Sequence, residues 1–94
     1  MIEAKMHKEG VLSLCDKELL GKILSDENME LKISETFYKG DDYKKEMIEE
    51  LAKNARNINA VGKESVDLLV KLGIVDKDSV RYVNKIPFAF VFEA

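Results

Sequence analysis

Apolar and polar residues alternate over the first part of the chain with the period of two that is typical of half-buried strands. The segment IEAKMH shows this alternation, and the apolar run VLSLC follows the pair Glu9-Gly10. Because glycine adopts positive φ at little cost, this pair suits a tight turn and predicts a hairpin. Further along, residues 22–24 predict a short strand, and the alternation in MELKI predicts another strand over residues 29–33.

Two later segments have apolar residues at the three- and four-residue spacing of amphipathic helices. The first follows Gly40, where the side chain of Asp41 or Asp42 is suited to cap the free N–H groups of a helix start. The second contains the segment VDLLV and stops at Gly73, since glycine readily adopts the left-handed conformation that ends a helix. The pattern therefore predicts two helices in the middle of the chain.

The C-terminal segment predicts a second hairpin, in which a turn at Asn84-Lys85 joins VRYV to IPFAFVFE. Alternation along the last strand places Phe88, Phe90 and Phe92 on one face. Two interpretations stay open for these three residues. They fill the core beside a strand inside the sheet, or they form an interaction surface that pairs with another chain.

The predicted order of elements is β-β-β-α-α-β-β, in which the short segment 22–24 is not counted. Because strands and helices are segregated, this order favours an α+β fold, a two-layer sandwich in which two helices cover one face of a mainly antiparallel sheet. The 94 residues are expected to form one compact domain, residues 1–94, since domains typically contain about 100–150 residues.

Composition narrows the class of protein. Charged residues make up 35% of the chain and the net charge is −3, which disfavours a protein that binds nucleic acid over its whole surface. The abundance of lysine and glutamate predicts a thermophilic source. The N-terminal segment lacks the apolar core of a signal peptide, and no segment has the roughly 20 apolar residues of a membrane span. We therefore expect a cytoplasmic protein.

The segment ARNINAVGK lies between the two predicted helices, within residues 51–63, which contain three cations and no acid. Asn59 is suited to cap a helix that starts at Ala60, or Gly62 to cap a helix that starts at Lys63. In either case backbone N–H groups and the positive end of the helix dipole would face solvent, an arrangement that binds anions. The alternative interpretation is a capped turn between two helices, with solvated cations.

The anion-binding interpretation predicts contact with the phosphate backbone of RNA or of a ribonucleoprotein. Because Tyr82 is the one aromatic residue among the cations, base stacking is limited, and binding should be weak and sensitive to salt. The candidate anion- or RNA-binding residues are Lys53, Arg56, Asn57, Asn59, Gly62, Lys63, Arg81 and Lys85.

Candidate catalytic groups are few. A zinc site needs three or four converging ligands, and the chain has one cysteine and one histidine, Cys15 and His7. If Glu9-Gly10 is the turn, His7 lies opposite Leu12, and Cys15 is too far along the hairpin to act with it as a nucleophile pair. We expect Cys15 to be a small buried side chain and His7 to be exposed. The sequence predicts no catalytic residue, no metal ion and no cofactor.

Three short motifs, ELLGK, NAVG and LGIVDKDSVRYVNKIPFA, together resemble the archaeal domain-of-unknown-function family 424. The resemblance covers nearly the whole chain and implies a compact two-layer α/β sandwich in an archaeal cytoplasm. It implies no established activity and therefore assigns no catalytic residue. Members of the family are similar in ending with a glycine-containing hairpin turn and a Pro-His dipeptide, where this chain has Asn84-Lys85 and Pro87-Phe88.

Three hypotheses for function follow. The first is a non-catalytic accessory protein that contacts RNA or a ribonucleoprotein through the basic segment. The second is a protein-interaction or self-associating module, a homo-oligomer for example, that uses Phe88, Phe90 and Phe92. The third is an enzyme with carboxylate chemistry whose residues the sequence does not identify.

Overall fold

Seven strands and three α-helices form the part of the chain that the computed structural model describes, residues 1–92. The strands are β1 (Ile2–Met6), β2 (Val11–Asp16), β3 (Ile23–Ser25), β4 (Glu30–Lys32), β5 (Asn57–Val61), β6 (Arg81–Val83) and β7 (Ile86–Val91). The helices are α1 (Glu35–Tyr38), α2 (Lys45–Asn54) and α3 (Lys63–Lys71), and short 3-10 turns occupy Lys8–Gly10, Lys17–Leu19 and Lys77–Ser79.

Five of the strands form one sheet in the order β1-β2-β5-β7-β6, and β3 and β4 form a separate two-stranded ribbon. Within the large sheet, β2 and β5 are parallel and the other three pairs are antiparallel. The predicted α+β class and the mainly antiparallel sheet are confirmed. None of the helices in residues 1–92 is long and apolar enough to cross a membrane.

The element order differs from the predicted one at the segment ARNINAVGK. Residues Asn57–Val61 form a strand in the centre of the sheet, where the sequence predicts either a helix start at Ala60 or a capped turn between helices. Ile58 and Ala60 are buried beneath the helices, and Asn57 and Asn59 point to the opposite face, so the segment alternates as a strand does. Its parallel partner β2 is distant in the sequence, which makes the pairing invisible to a local pattern.

The two faces of the sheet are covered differently. We call the face beneath α2 and α3 the helix face, and the face that carries α1 and the β3–β4 ribbon the ribbon face. On the helix face, side chains of the strands pack against both predicted helices, as expected. The core of the ribbon face consists of Cys15, Leu19, Leu24, Ile33, Tyr38, Val61, Val83 and Phe88.

Two turn predictions are confirmed. Helix α3 ends where expected: Gly73 has φ 75°, and its N–H donates to the carbonyl of Val70 at 3.0 Å. Asn84 and Lys85 form the turn between β6 and β7, with φ of 47° and 67°. This left-handed pair matches the twist of a two-residue hairpin.

The start of α2 differs from the prediction, because neither Asp41 nor Asp42 caps it. The helix begins at Lys45, and the residue before it provides no side-chain cap. Asp41 instead bridges to the backbone of Ala4 on β1. Gly40 permits this close approach, since a Cβ there would lie 1.9 Å from the carbonyl oxygen of Ala4.

Candidate anion-binding cleft

A carboxylate of the protein itself occupies the start of α3. Asp16, at the end of β2, is 3% exposed. One of its oxygens accepts from the N–H of Glu64 at 3.0 Å, and the other accepts from the N–H and the hydroxyl of Ser65 at 2.9 and 2.8 Å. These N–H groups are the ones that a helix start leaves without an internal partner. Asp16 therefore caps a helix that begins far from it in the sequence.

This contact corrects the prediction of an open, anion-binding helix start. The alternative in which α3 begins at Lys63 after Gly62 is confirmed. The N–H groups of Glu64 and Ser65 are not open to an external anion, however, because both donate to Asp16, whose negative charge lies at the positive end of the helix dipole. Gly62 is buried, and its own N–H donates to the carbonyl of Pro87 at 2.9 Å.

The candidate basic residues fall into two groups at opposite ends of β5. Lys53, Arg56 and Asn57 lie where the strand begins, and the N–H of Arg56 donates to the carbonyl of Gly10 at 2.9 Å. Lys63 follows the other end of the strand. Five residues of strand span about 16 Å, so the two groups cannot hold the same phosphate. The structure does not bring the predicted patch together as one site.

Asn59 and Arg81 lie on the ribbon face, away from the start of α3. Asn59 is paired across the sheet with Ser13 on one side and Phe90 on the other. The guanidinium of Arg81 lies 5.5 Å from the centre of the Phe88 ring, a cation–π distance. Neither residue therefore adds to a cluster with Lys63.

Lys63 and Lys85, by contrast, line the same cleft. This cleft has a volume of about 550 Å³ and lies between α3, the turn after it and the β6–β7 hairpin. We call it the lysine cleft. Its lining residues are Lys63, Val66, Asp67, Val70, Lys71, Lys77, Val80, Tyr82, Lys85 and Pro87.

The lysine cleft has an excess of positive charge. Asp67 is the one acid among its lining residues, against four lysines. In residues 1–92 the one ion pair joins the N-terminal amino group to Glu64, at 2.6 Å, so the four ammonium groups have no carboxylate partner there. Asp76 and Asp78 flank Lys77 in the sequence but do not line the cleft. An anion in the cleft would meet unpaired cations.

In two other clefts of the described residues, the lining acids are at least as numerous as the lysines. One lies between the N-terminus, α2 and α3, and pairs two lysines with two acids. The other lies near Gly40 and contains two lysines and four acids. The lysine cleft is therefore the better candidate for an anion.

Sequence reasoning missed two of the four cleft lysines, Lys71 and Lys77. A signal for Lys71 exists, because Lys63, Asp67 and Lys71 recur every four residues and so lie on one stripe of α3. Lys77 joins them because the chain reverses at Gly73 after the helix ends. No pattern of charged residues in the sequence indicates that reversal of the chain.

Alternation along β7 places Phe88 and Phe90 on the ribbon face, as predicted, and Phe92 follows the end of the strand. Phe88 is 1% exposed and belongs to the core, so its assignment to an interaction surface is wrong. Phe90 is 42% exposed and Phe92 is 74% exposed. Strand β6 pairs with Ile86–Phe88 only, which leaves one edge of β7 without a strand partner from Ala89 onward within the described chain.

His7 has a structural role that the sequence does not predict. The β1–β2 register pairs Met6 with Leu12, so His7 begins a longer turn and does not lie opposite Leu12. Its Nε2 lies 3.0 Å from the hydroxyl of Ser13, and its ring stacks on Phe37 at 4.4 Å. The Ser13 hydroxyl donates to the carbonyl of Phe37 at 2.9 Å, so this pair holds α1 on the sheet.

Cys15 is fully buried, as expected, and burial raises the pKa of its thiol to about 12. Burial also raises the pKa of the Tyr38 phenol to about 12. A thiol that keeps its proton at neutral pH is a poor nucleophile. No group of three or more histidine, cysteine or acidic side chains within residues 1–92 is placed to hold a metal ion.

The buried Cys15 thiol and Tyr38 phenol should make the protein less stable at alkaline pH. The unfolded chain releases both protons at lower pH than the folded chain, so the free energy of unfolding falls as the pH rises through this interval. We expect urea unfolding to show a loss of about 2 kcal/mol or more between pH 8 and pH 11. Cys15→Ala should lower stability at pH 8 but reduce the further loss at pH 11. An unchanged pH dependence in this variant would contradict the assignment to Cys15.

Comparison with known proteins places the chain in a family. The sequence profile of the family described as "Protein of unknown function (DUF424)" matches residues 5–93. The chain belongs to this family. An uncharacterized conserved protein from Methanopyrus kandleri has a similar crystal structure, with a TM-score of 0.77 and 27% sequence identity over 96% of this chain and 89% of that chain. No curated protein matches the chain. The resemblance to the DUF424 family is thus confirmed, and it assigns no activity.

Proposed function

We propose that this DUF424 protein is a non-catalytic binding module that contacts the phosphate backbone of RNA, free or within a ribonucleoprotein, through the lysine cleft. One observation carries the proposal. Four lysines from α3, the turn after it and the β6–β7 hairpin line one cleft with a single acid, and none of them is paired with a carboxylate in residues 1–92.

Four ammonium groups around one cleft are unfavourable without an anion, because like charges repel. A chain of phosphates relieves that repulsion and releases its own counterions, which makes affinity depend strongly on salt. The net charge of −3 means that the rest of the surface repels a polyanion. Binding should therefore be local to the lysine cleft, and weak at physiological ionic strength.

The proposal predicts that Lys71→Glu/Lys77→Glu lowers RNA affinity at least tenfold, because two favourable phosphate contacts become repulsive. The measurement is fluorescence anisotropy with a labelled structured RNA at low salt. The matched control is Lys8→Glu/Lys53→Glu, which changes the net charge equally with exposed lysines at the other end of β5. The control is expected to lose much less affinity. Equal losses in both variants would mean that binding is not located in the cleft.

A second candidate function, self-association through β7, is favoured by the unpaired edge beyond Phe88. A two-fold axis can place the same strand edge of two copies antiparallel to each other, so this edge is self-complementary. Exposed Phe90 and Phe92 would add apolar contact beside this edge. Mass measured by light scattering over a concentration series tests it, and a constant monomer mass would exclude a homo-oligomer.

A further inference from the structure

We propose that the lysine cleft binds single-stranded nucleic acid, with an unpaired base stacked on the ring of Tyr82. This inference rests on the proposed function and specifies its ligand. The lysines account for phosphate contact, which any nucleic acid could provide. Tyr82 adds a group that only an accessible base can use.

The position of Tyr82 suits a stacking platform. It lies in the middle of β6, which is an edge strand of the large sheet, and it lines the cleft together with Lys77 and Lys85. The side chain is 62% exposed, although it is a large apolar ring. Val66, Val70, Val80 and Pro87 provide apolar surface beside it. A base could therefore cover the ring while its phosphates meet the lysines.

The backbone of Tyr82 offers further contacts at the same place. Tyr82 is paired with Pro87, which has no N–H to donate. In an antiparallel ladder, residue pairs that exchange hydrogen bonds alternate with pairs that do not. The pair of Tyr82 and Pro87 is of the second kind, so the N–H and C=O of Tyr82 point away from β7. Because β6 is the edge strand, they point to the open side of the sheet. One donor and one acceptor are thus available to the edge of a base.

A duplex could not use these groups. Its bases are stacked on one another and paired, so it presents phosphates and groove edges to the cleft, whereas a single strand can turn a base onto an aromatic ring. Stacking on one aromatic ring contributes about 1–3 kcal/mol by alanine substitution, which is roughly a 5- to 150-fold change in affinity. Tyr82 should therefore make the cleft prefer unpaired strands.

The experiment compares three probes: an oligouridylate of about 12 nucleotides, a blunt RNA duplex of equal length, and inorganic polyphosphate, which has no bases. We expect Tyr82→Ala to weaken oligouridylate binding about tenfold and to change the other two affinities less than twofold. Tyr82→Phe keeps the ring and should bind as the wild type does. The chain has no tryptophan, so Tyr82→Trp provides a single tryptophan whose fluorescence oligouridylate should quench and polyphosphate should not.

Two results would overturn the inference while leaving the proposed function intact. The first is lysine-dependent binding of all three probes with no effect of Tyr82→Ala. The second is an equal loss for all three probes in that variant, which would mean that Tyr82 only positions the lysines. If the wild type binds none of the three probes at low salt, both the inference and the proposed function are wrong. Thermal unfolding of each variant checks that the exposed substitution leaves the fold intact.

Discussion

Replacing Asp16 with alanine is expected to lower the free energy of unfolding by about 3 kcal/mol, which for a small domain is a large part of the total. The carboxylate makes three hydrogen bonds with the first turn of α3, and all of them are lost together. The N–H and hydroxyl of Ser65 are buried, so water cannot simply replace the lost acceptor. Asp16→Asn should cost less, because the amide retains one acceptor oxygen.

The matched control is Asp42→Ala, at an exposed aspartate that the sequence predicts as a cap and that the structure does not use as one. Its expected effect is within about 0.5 kcal/mol. Urea unfolding followed by circular dichroism measures both variants. If the two substitutions have similar effects, the contact between Asp16 and α3 does not stabilise the fold as described.

Gly62→Ala is expected to cost about 4 kcal/mol, from backbone strain and steric overlap together. Gly62 has φ 109° and ψ 157°, a region that residues with a Cβ essentially do not occupy. A Cβ there would lie 2.3 Å from Cγ of Asp16, which cannot move without breaking the cap. Glycine at this position is what lets β5 end and α3 begin directly above the carboxylate.

Gly73→Ala provides the control for backbone strain alone, since Gly73 has φ 75° and an added Cβ would meet no atom within 4 Å. It should cost only about 1–2 kcal/mol. The double variant Asp16→Ala/Gly62→Ala should lose less than the sum of the single losses, because removing the carboxylate removes the overlap. Strict additivity in this cycle would argue against the close approach of the two residues.

The parts of the fold that could be predicted are those with local causes. The stop of α3 at Gly73 follows from glycine's access to positive φ, and the Asn84-Lys85 turn follows from the same property of asparagine. The common face of Phe88 and Phe90 follows from the period of a strand.

The parts that could not be predicted depend on contacts distant in the sequence. The segment NINAV resembles a capped turn because asparagine is common in turns, yet pairing with β2 on one side and β7 on the other makes it a strand. Asp16 is a second example of a residue whose contacts are distant in the sequence. Its carboxylate accepts from the first turn of α3, where Glu64 lies 48 residues further along the chain.

The candidate site was predicted in part for the same reason. Lys63 and Lys85 are both candidate residues from the sequence, and they line one cleft. A turn over this segment would keep Lys53 and Arg56 close to Lys63, whereas the strand separates them. The archaeal and thermophilic origin and the cytoplasmic location stay predictions from composition and resemblance.

The most direct test of RNA contact with the lysine cleft is the salt dependence of RNA binding by the wild type and by Lys71→Gln/Lys77→Gln. On a plot of log affinity against log salt, each phosphate neutralised on a single strand contributes a slope of about −0.7. If the cleft lysines contact phosphates, removing two of them should make the slope shallower by about 1.4, and Lys8→Gln/Lys53→Gln should leave it unchanged. Parallel lines for the wild type and the cleft variant would mean that RNA does not contact these lysines, and the proposed function would then be wrong.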